Sequence, residues 1–208
     1  LGATSFGGST HKTFPGPQKA FIATSNEKIS ESIENATMHL VSNCHTGNVI
    51  ALCIALIEFD ECDGKEYAEQ IIKNSKTFAD YLSKEGVKPQ GEERGFTETH
   101  QVWIDPKDYG NAKEILDYLY EVGIFINAFP SLPGVDRIAY RIGLNESTRF
   151  GMKEHNVAVL ADIFFKAFSL KDLELSKKRV AELRKEFELP AYCYRPMGSD
   201  LVKIGHFE

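Results

Sequence analysis

Residues 99–168 switch between two hydrophobic periods, and the switching leaves few folds open. "THQVWID" (99–105) and "RIAYRIG" (137–143) read as strands, the first stopped by Pro106, and "GIFIN" (123–127) reads as a third. Between and after them, Ala112, Ile115, Leu116, Leu119 and Val122, then Val157, Leu160, Ala161, Phe164 and Phe168, recur at helical spacing. A strand-helix-strand-strand-helix order hides its apolar faces by laying helices on a small sheet, which predicts a small α/β domain.

Upstream, Ala68, Ile71, Ile72, Ser75, Phe78, Ala79 and Leu82 form another helical stripe, ending before Gly86 and Pro89. Residues 46–59 predict a helix apolar nearly all round, with Thr46 as N-cap and burial on every side. "EKISESIENATMHLV" reads as helical and "AFIAT" (20–24) as a short buried strand. Gly64 breaks the chain and places a domain boundary near 60–66. The last residues hold an amphipathic helix, "KKRVAELRKEFEL", and then a tail rich in Tyr, Pro and Gly.

Charge and apolar content exclude several functions. The chain carries 24 basic and 30 acidic residues, a net charge of −6, which argues against nucleic acid or an anionic membrane as main partner. The longest apolar run, "VIALCIALI" (49–57), is far short of the roughly 18 residues of a membrane span. Cys44, Cys53, Cys62 and Cys193 form no CxxC pair, which predicts reduced thiols in a cytoplasmic protein. The chain opens on Leu1 without a basic signal region, which predicts a fragment, a processed chain or one piece of a split protein.

The first residues carry the chemistry. "GGSTHKTFPGP" (7–17) reads as a loop, with Lys12 set between a Gly/Ser/Thr/His run and a rigid Pro-Gly-Pro turn. Three readings compete for it. A solvated surface loop needs no further explanation. A phosphate-binding P-loop fails, because the two glycine positions it requires are His11 and Phe6. The third is a lysine that forms a Schiff base. A free lysine has a pKa of ~10.4, so it needs a fixed backbone and a desolvated or cationic setting to be nucleophilic near neutrality.

"STHKTFPGPQ" resembles the active-site segment of serine hydroxymethyltransferase and its close relatives among fold-type I pyridoxal-phosphate enzymes. "TGNVIALCIALIEF" is similar to that family's buried helix after the lysine, "THQVWID" to the strand opening its C-terminal domain, and "YRIGLNESTRFGM" to its Arg-Ile-Gly segment. The resemblance covers about residues 1–170. It implies an α/β fold: the C-terminal part of the pyridoxal-phosphate-binding large domain (1–62), a small α/β C-terminal domain (63–172), and a C-terminal helix and tail (173–208).

The resemblance also implies a chemistry. Lys12 forms the Schiff base with pyridoxal 5'-phosphate, with Ser9, Thr10 and His11 lining the cofactor and substrate side. Arg141 binds the α-carboxylate of a small amino acid: glycine, serine, threonine or an α-substituted serine. The bond broken or formed is Cα–Cβ of a β-hydroxy amino acid. Three departures matter. Gln18 stands where a cation is expected. "SNCHTG" (42–47) replaces a Gly-Gly-Pro, which makes His45, Asn43 or the backbone groups before the helix at Thr46 candidate phosphate contacts. "NAFPSLP" keeps Asn127 but puts Phe129 in place of a second asparagine, which argues against tetrahydrofolate and for α-substituted serines or an aldehyde acceptor. The family's remaining cofactor contacts lie before its lysine, so the resemblance implies a homo-oligomer or a partner chain that supplies an N-terminal half. The competing reading is a truncated, non-catalytic half that serves subunit interaction or folding.

Overall fold

The computed structural model of the chain describes residues 2–130, 138–197 and 200–204, in two compact units, Leu1–Cys62 and Asp63–Glu208. The first unit begins with a hairpin. β1 (Ser5–His11) pairs antiparallel with β2 (Pro15–Thr24), and the register shifts between Ser9 and His11. The segment around Lys12 is therefore not a free loop. Two glycines allow the pairing: a Cβ on Gly7 would lie 2.6 Å from the Phe21 carbonyl oxygen, and one on Gly16 2.7 Å from that of Thr10. "AFIAT" extends as predicted, but Phe21 and Ile22 are exposed rather than buried.

α1 (Glu27–Leu40) starts at Asn26, whose side chain accepts a hydrogen bond from the Ile29 amide. α2 (Thr46–Glu61) has His45 at its N-cap in place of the predicted Thr46, with no side-chain cap bond. Its all-round apolar pattern predicts burial on every side, yet no residue of α2 is buried. The hairpin covers one side: β2 packs against it, and Phe14 of the turn before β2 meets Phe59 at 5.3 Å between ring centroids. Val49, Ile50, Ile54, Leu56 and Ile57 stay exposed because 62 residues of hairpin and two helices provide nothing else to cover them.

The second unit has a conventional core. Asp63, in the left-handed region at φ 57°, makes the break assigned to Gly64, which is instead the first residue of α3 (Gly64–Lys84). β3 (Gln101–Ile104), α4 (Ala112–Val122), β4 (Asn127–Phe129) and β5 (Ala139–Gly143) follow, then a single turn, α5 (Asn145–Arg149), and α6 (Glu154–Phe168). The sheet is antiparallel in the order β3-β5-β4.

"GIFIN" departs from its reading as a strand, and helix termination explains why. Gly123 closes α4 at φ 94°, and the Ile124 amide bonds back to the Leu119 carbonyl, so the strand begins only at Asn127. One sheet face, with Val102, Ile104, Tyr140 and Ile142, packs into a core shared with Phe78, Leu82, Ile115, Leu119, Phe164 and Phe168. α7 (Leu173–Glu186) packs on α4 and α6, and the tail forms a second hairpin, β6 (Cys193–Met197) with β7 (Asp200–Ile204).

Asn74 ties α3 to the segment after β5. Its amide donates to Thr148 Oγ1 (2.8 Å) and the Met152 carbonyl (2.7 Å), and its carbonyl accepts from Gln70. Every group in this buried set is paired, so it fixes the backbone leaving β5 instead of straining it. No helix among the described residues is long and apolar enough to cross a membrane, and no disulfide links the cysteines among them.

Candidate active site

In the first unit, Lys12 sits at the turn between β1 and β2, exposed, with its ammonium group in no ion pair among the described residues. Thr10 just before it is buried. Its hydroxyl lies 2.7 Å from the Pro17 carbonyl and 3.1 Å from that of Lys19, tying the two strands together behind the lysine. His11 Nδ1 is 3.3 Å from the Lys19 carbonyl, and Ser9 is half-buried. At Gly16 a side chain would collide with the Thr10 carbonyl and the Phe14 ring, so the strand after the turn lies against Thr10 only because that residue is glycine. Lys12 is thus a flexible side chain on a stiff backbone.

His45 is exposed at the start of α2, with no acidic residue in the helix's first turn. Lys19 Nζ reaches Cys44 Sγ at 3.7 Å, and Asn48 Nδ2 reaches the Gln18 carbonyl at 3.5 Å, so β2 and the start of α2 are neighbours. The hairpin therefore brings Ser9, Thr10, His11 and Lys12 together, with His45 opening the helix packed against its second strand.

In the second unit Arg141 lies in the middle of β5, opposite Trp103 on one side and Asn127 on the other. Strand alternation puts Tyr140 and Ile142 in the core and turns Arg141 outward. Its guanidinium carbon sits 4.4 Å from the centroid of the Phe129 ring. On the same face the Trp103 indole N–H donates to Gln101 Oε1 at 2.9 Å, and Gln101 Nε2 is 3.2 Å from His100 Nε2. Burial, and then the Arg141 charge, lower the pKa of His100 below its ordinary value, favouring the neutral ring.

A surface cavity of about 330 Å³ opens beside this face, lined by Gln90, Phe96, Thr97, Thr99, Gln101 and Trp103. A more apolar cavity of about 310 Å³ among Phe78, Phe125, Phe164 and Phe187 contains none of the predicted site residues. Sequence reasoning missed Trp103 and Gln101. Their signal was present in "THQVWID", where both occupy the outward positions of the predicted alternation. Residues 131–133 of "NAFPSLP" lie outside the described residues.

Arg149, of the Thr-Arg-x-Gly stretch, has a structural partner set. It donates to the Tyr192 carbonyl at 2.5 Å and lies 5.8 Å over the Tyr67 ring, while the Ala191 amide donates to its carbonyl. Burial pushes the Tyr67 phenol up to about 12, opposed by Arg149. Burial, reinforced by Glu66, Asp63 and Glu154, does the same to Tyr192. An unfolded tyrosine loses its proton near pH 10, so above that the unfolded state binds fewer protons than the folded one. Folding stability should therefore fall between pH 10 and about 12. Melting temperatures across that range, flatter in Tyr67→Phe with Tyr192→Phe, would check it; a variant as alkali-sensitive as the parent would exclude these two phenols.

No family model matches the chain. It is 38% identical over 202 residues to a serine hydroxymethyltransferase of Sulfolobus acidocaldarius, covering 94% of this chain and 46% of that protein. It is 35% identical over 192 residues to the L-threonine:uridine-5'-aldehyde transaldolase of a Streptomyces species, covering 92% and 44%. Its structure matches an L-threonine transaldolase from Pseudomonas fluorescens, determined in an internal aldimine state, with a TM-score of 0.82 at 31% identity, covering 92% of this chain and 45% of that one. The chain spans about half the length of the curated relatives it matches. With the lysine hairpin and the outward arginine as described, the chain is serine hydroxymethyltransferase-like in sequence and has the α/β fold of the corresponding part of a threonine transaldolase.

Proposed function

We propose that the chain is the lysine-bearing part of a pyridoxal-phosphate-dependent enzyme that makes or breaks the Cα–Cβ bond of β-hydroxy amino acids. The observation that carries this reading is the Lys12 hairpin. Lys12 Nζ is free of ion pairs among the described residues, on a turn immobilised by the Thr10 hydroxyl and the close approach at Gly16. Those features fit a covalently attached aldehyde cofactor, which needs an accessible amine and a backbone that does not move with it.

Lys12, its Nζ exposed and deprotonated, would hold the cofactor through its aldehyde group. Ser9, Thr10 and His11 form the wall beside it. His45 and the first amides of α2, which no side chain caps, hold the phosphate group, as a helix N-terminus favours an anion. Bound pyridoxal phosphate supplies the electron sink for the pair left at Cα. Arg141 offers the planar, permanently charged fork that a carboxylate accepts in two hydrogen bonds, and so orients the amino acid.

Residues 1–62 belong, in this reading, to the cofactor-binding large domain, 63–172 to the small domain and 173–208 to its helix and tail. The exposed apolar face of α2 is covered by the polypeptide that completes the large domain, as an N-terminal part or a partner chain. In this reading Phe129, standing where the resemblance implies a second asparagine, favours an aldehyde acceptor over tetrahydrofolate.

The test is an absorbance spectrum with added pyridoxal phosphate, on the chain alone and with the completing polypeptide, each against Lys12→Ala. A Lys12-dependent band near the visible edge supports the reading. A band that appears only with the second polypeptide makes the chain one component of a shared site. Absence of the band in both arms favours a non-catalytic role in subunit interaction or folding.

A further inference from the structure

We propose that Phe129 is a positioning residue: its ring carries the Arg141 guanidinium and thereby sets how tightly the amino-acid carboxylate is held. The proposal rests on the reading of Arg141 as the carboxylate site. Strand register brings the two together. Asn127 pairs with Arg141 and Phe129 with Ala139, so Phe129 is diagonal to Arg141 on the outward face of the sheet. The guanidinium carbon lies 4.4 Å from the ring centroid, within cation–π range, and both residues are half-buried.

Geometry explains why a ring suits this position. Stacking uses the flat face of the guanidinium and leaves its N–H edges free, and those edges must meet a carboxylate. Among the described residues Arg141 forms no ion pair that would compete for them. An asparagine at 129 would do the opposite, since its amide oxygen would compete with the substrate for the same donors. Without the ring, a long side chain with several rotatable bonds has to be ordered by the substrate itself, at a cost in affinity.

The experiment uses Phe129→Leu, which keeps an apolar side chain but removes the ring face, and Phe129→Tyr, which restores it. Arg141→Ala is the control. In the pyridoxal-phosphate-loaded protein carrying this chain, Phe129→Leu should raise KM for the amino acid about 2- to 30-fold with kcat much less affected. Phe129→Tyr should return KM to nearly the parental value.

A second readout needs no activity. In the isotopically labelled chain, the Arg141 Nε proton should resonate upfield because of the ring beneath it, move downfield in Phe129→Leu and stay in Phe129→Tyr. If Phe129→Leu leaves KM unchanged while Arg141→Ala raises it, the positioning role is wrong and the carboxylate assignment stands. If Arg141→Ala leaves KM unchanged, the carboxylate assignment fails and takes this proposal with it, whatever the resonance does.

Discussion

Lys12→Ala should lower kcat/KM by about 10²- to 10⁴-fold or more in the assembled enzyme, the range a single positioned catalytic side chain supplies. Lys12 has no deputy. Lys19, the nearest lysine in sequence, lies on β2 with its ammonium group directed to Cys44 Sγ. The hairpin should survive the change, because Thr10 and Gly16, not Lys12, hold the turn. A small primary amine added to the alanine variant should restore part of the rate, whereas Lys12→Arg, which stays charged, should not respond to it. Steady-state kinetics with and without methylamine decide the matter. Parental turnover by Lys12→Ala would mean the catalytic lysine is elsewhere.

Phe164→Ala should destabilise the second unit by about 3–5 kcal/mol. Phe164 is 1% exposed, with its ring centroid 5.2 Å from that of Phe78 and 5.7 Å from that of Phe168. Phe78 comes from α3 and Phe168 from α6 itself, so truncation opens a void where two helices meet. Against a typical domain stability of about 5–15 kcal/mol, that loss is a large share of the total. Denaturant unfolding followed by circular dichroism should show a lower midpoint with an unchanged slope. A loss below about 1 kcal/mol would show that the helices close over the gap, contrary to a tightly packed core.

The two predictions differ in how far the sequence alone supports them. The helical stripes of α3, α4 and α6 were legible because an amphipathic helix repeats its apolar residues every three to four positions, and burial of one face follows directly. Phe78 and Phe164 could be assigned to a core from spacing alone. The outward position of Arg141 was equally readable from its alternation with Tyr140 and Ile142. Lys12 stood out through the unusual composition of its segment and through its family resemblance.

What the sequence could not decide depended on partners distant along the chain. "GGSTHKTFPGP" reads as a loop because Gly, Ser, Thr and Pro are turn residues. It folds as a hairpin because glycine allows two strands to approach more closely than any side chain would permit, at Gly7 against Phe21 and at Gly16 against Thr10. "GIFIN" reads as a strand, yet its glycine is consumed in closing the preceding helix. α2 has the composition of a buried helix, but composition does not name what covers it, and within its own unit only the hairpin covers one side. The stacking of Phe129 on Arg141, the cavity beside Trp103 and the Arg149 contacts with the tail all arise from register and helix placement. Periodicity is a local property and was fixed by the residues themselves; which side chains share a site depends on long-range pairing, and only the tertiary structure settles that.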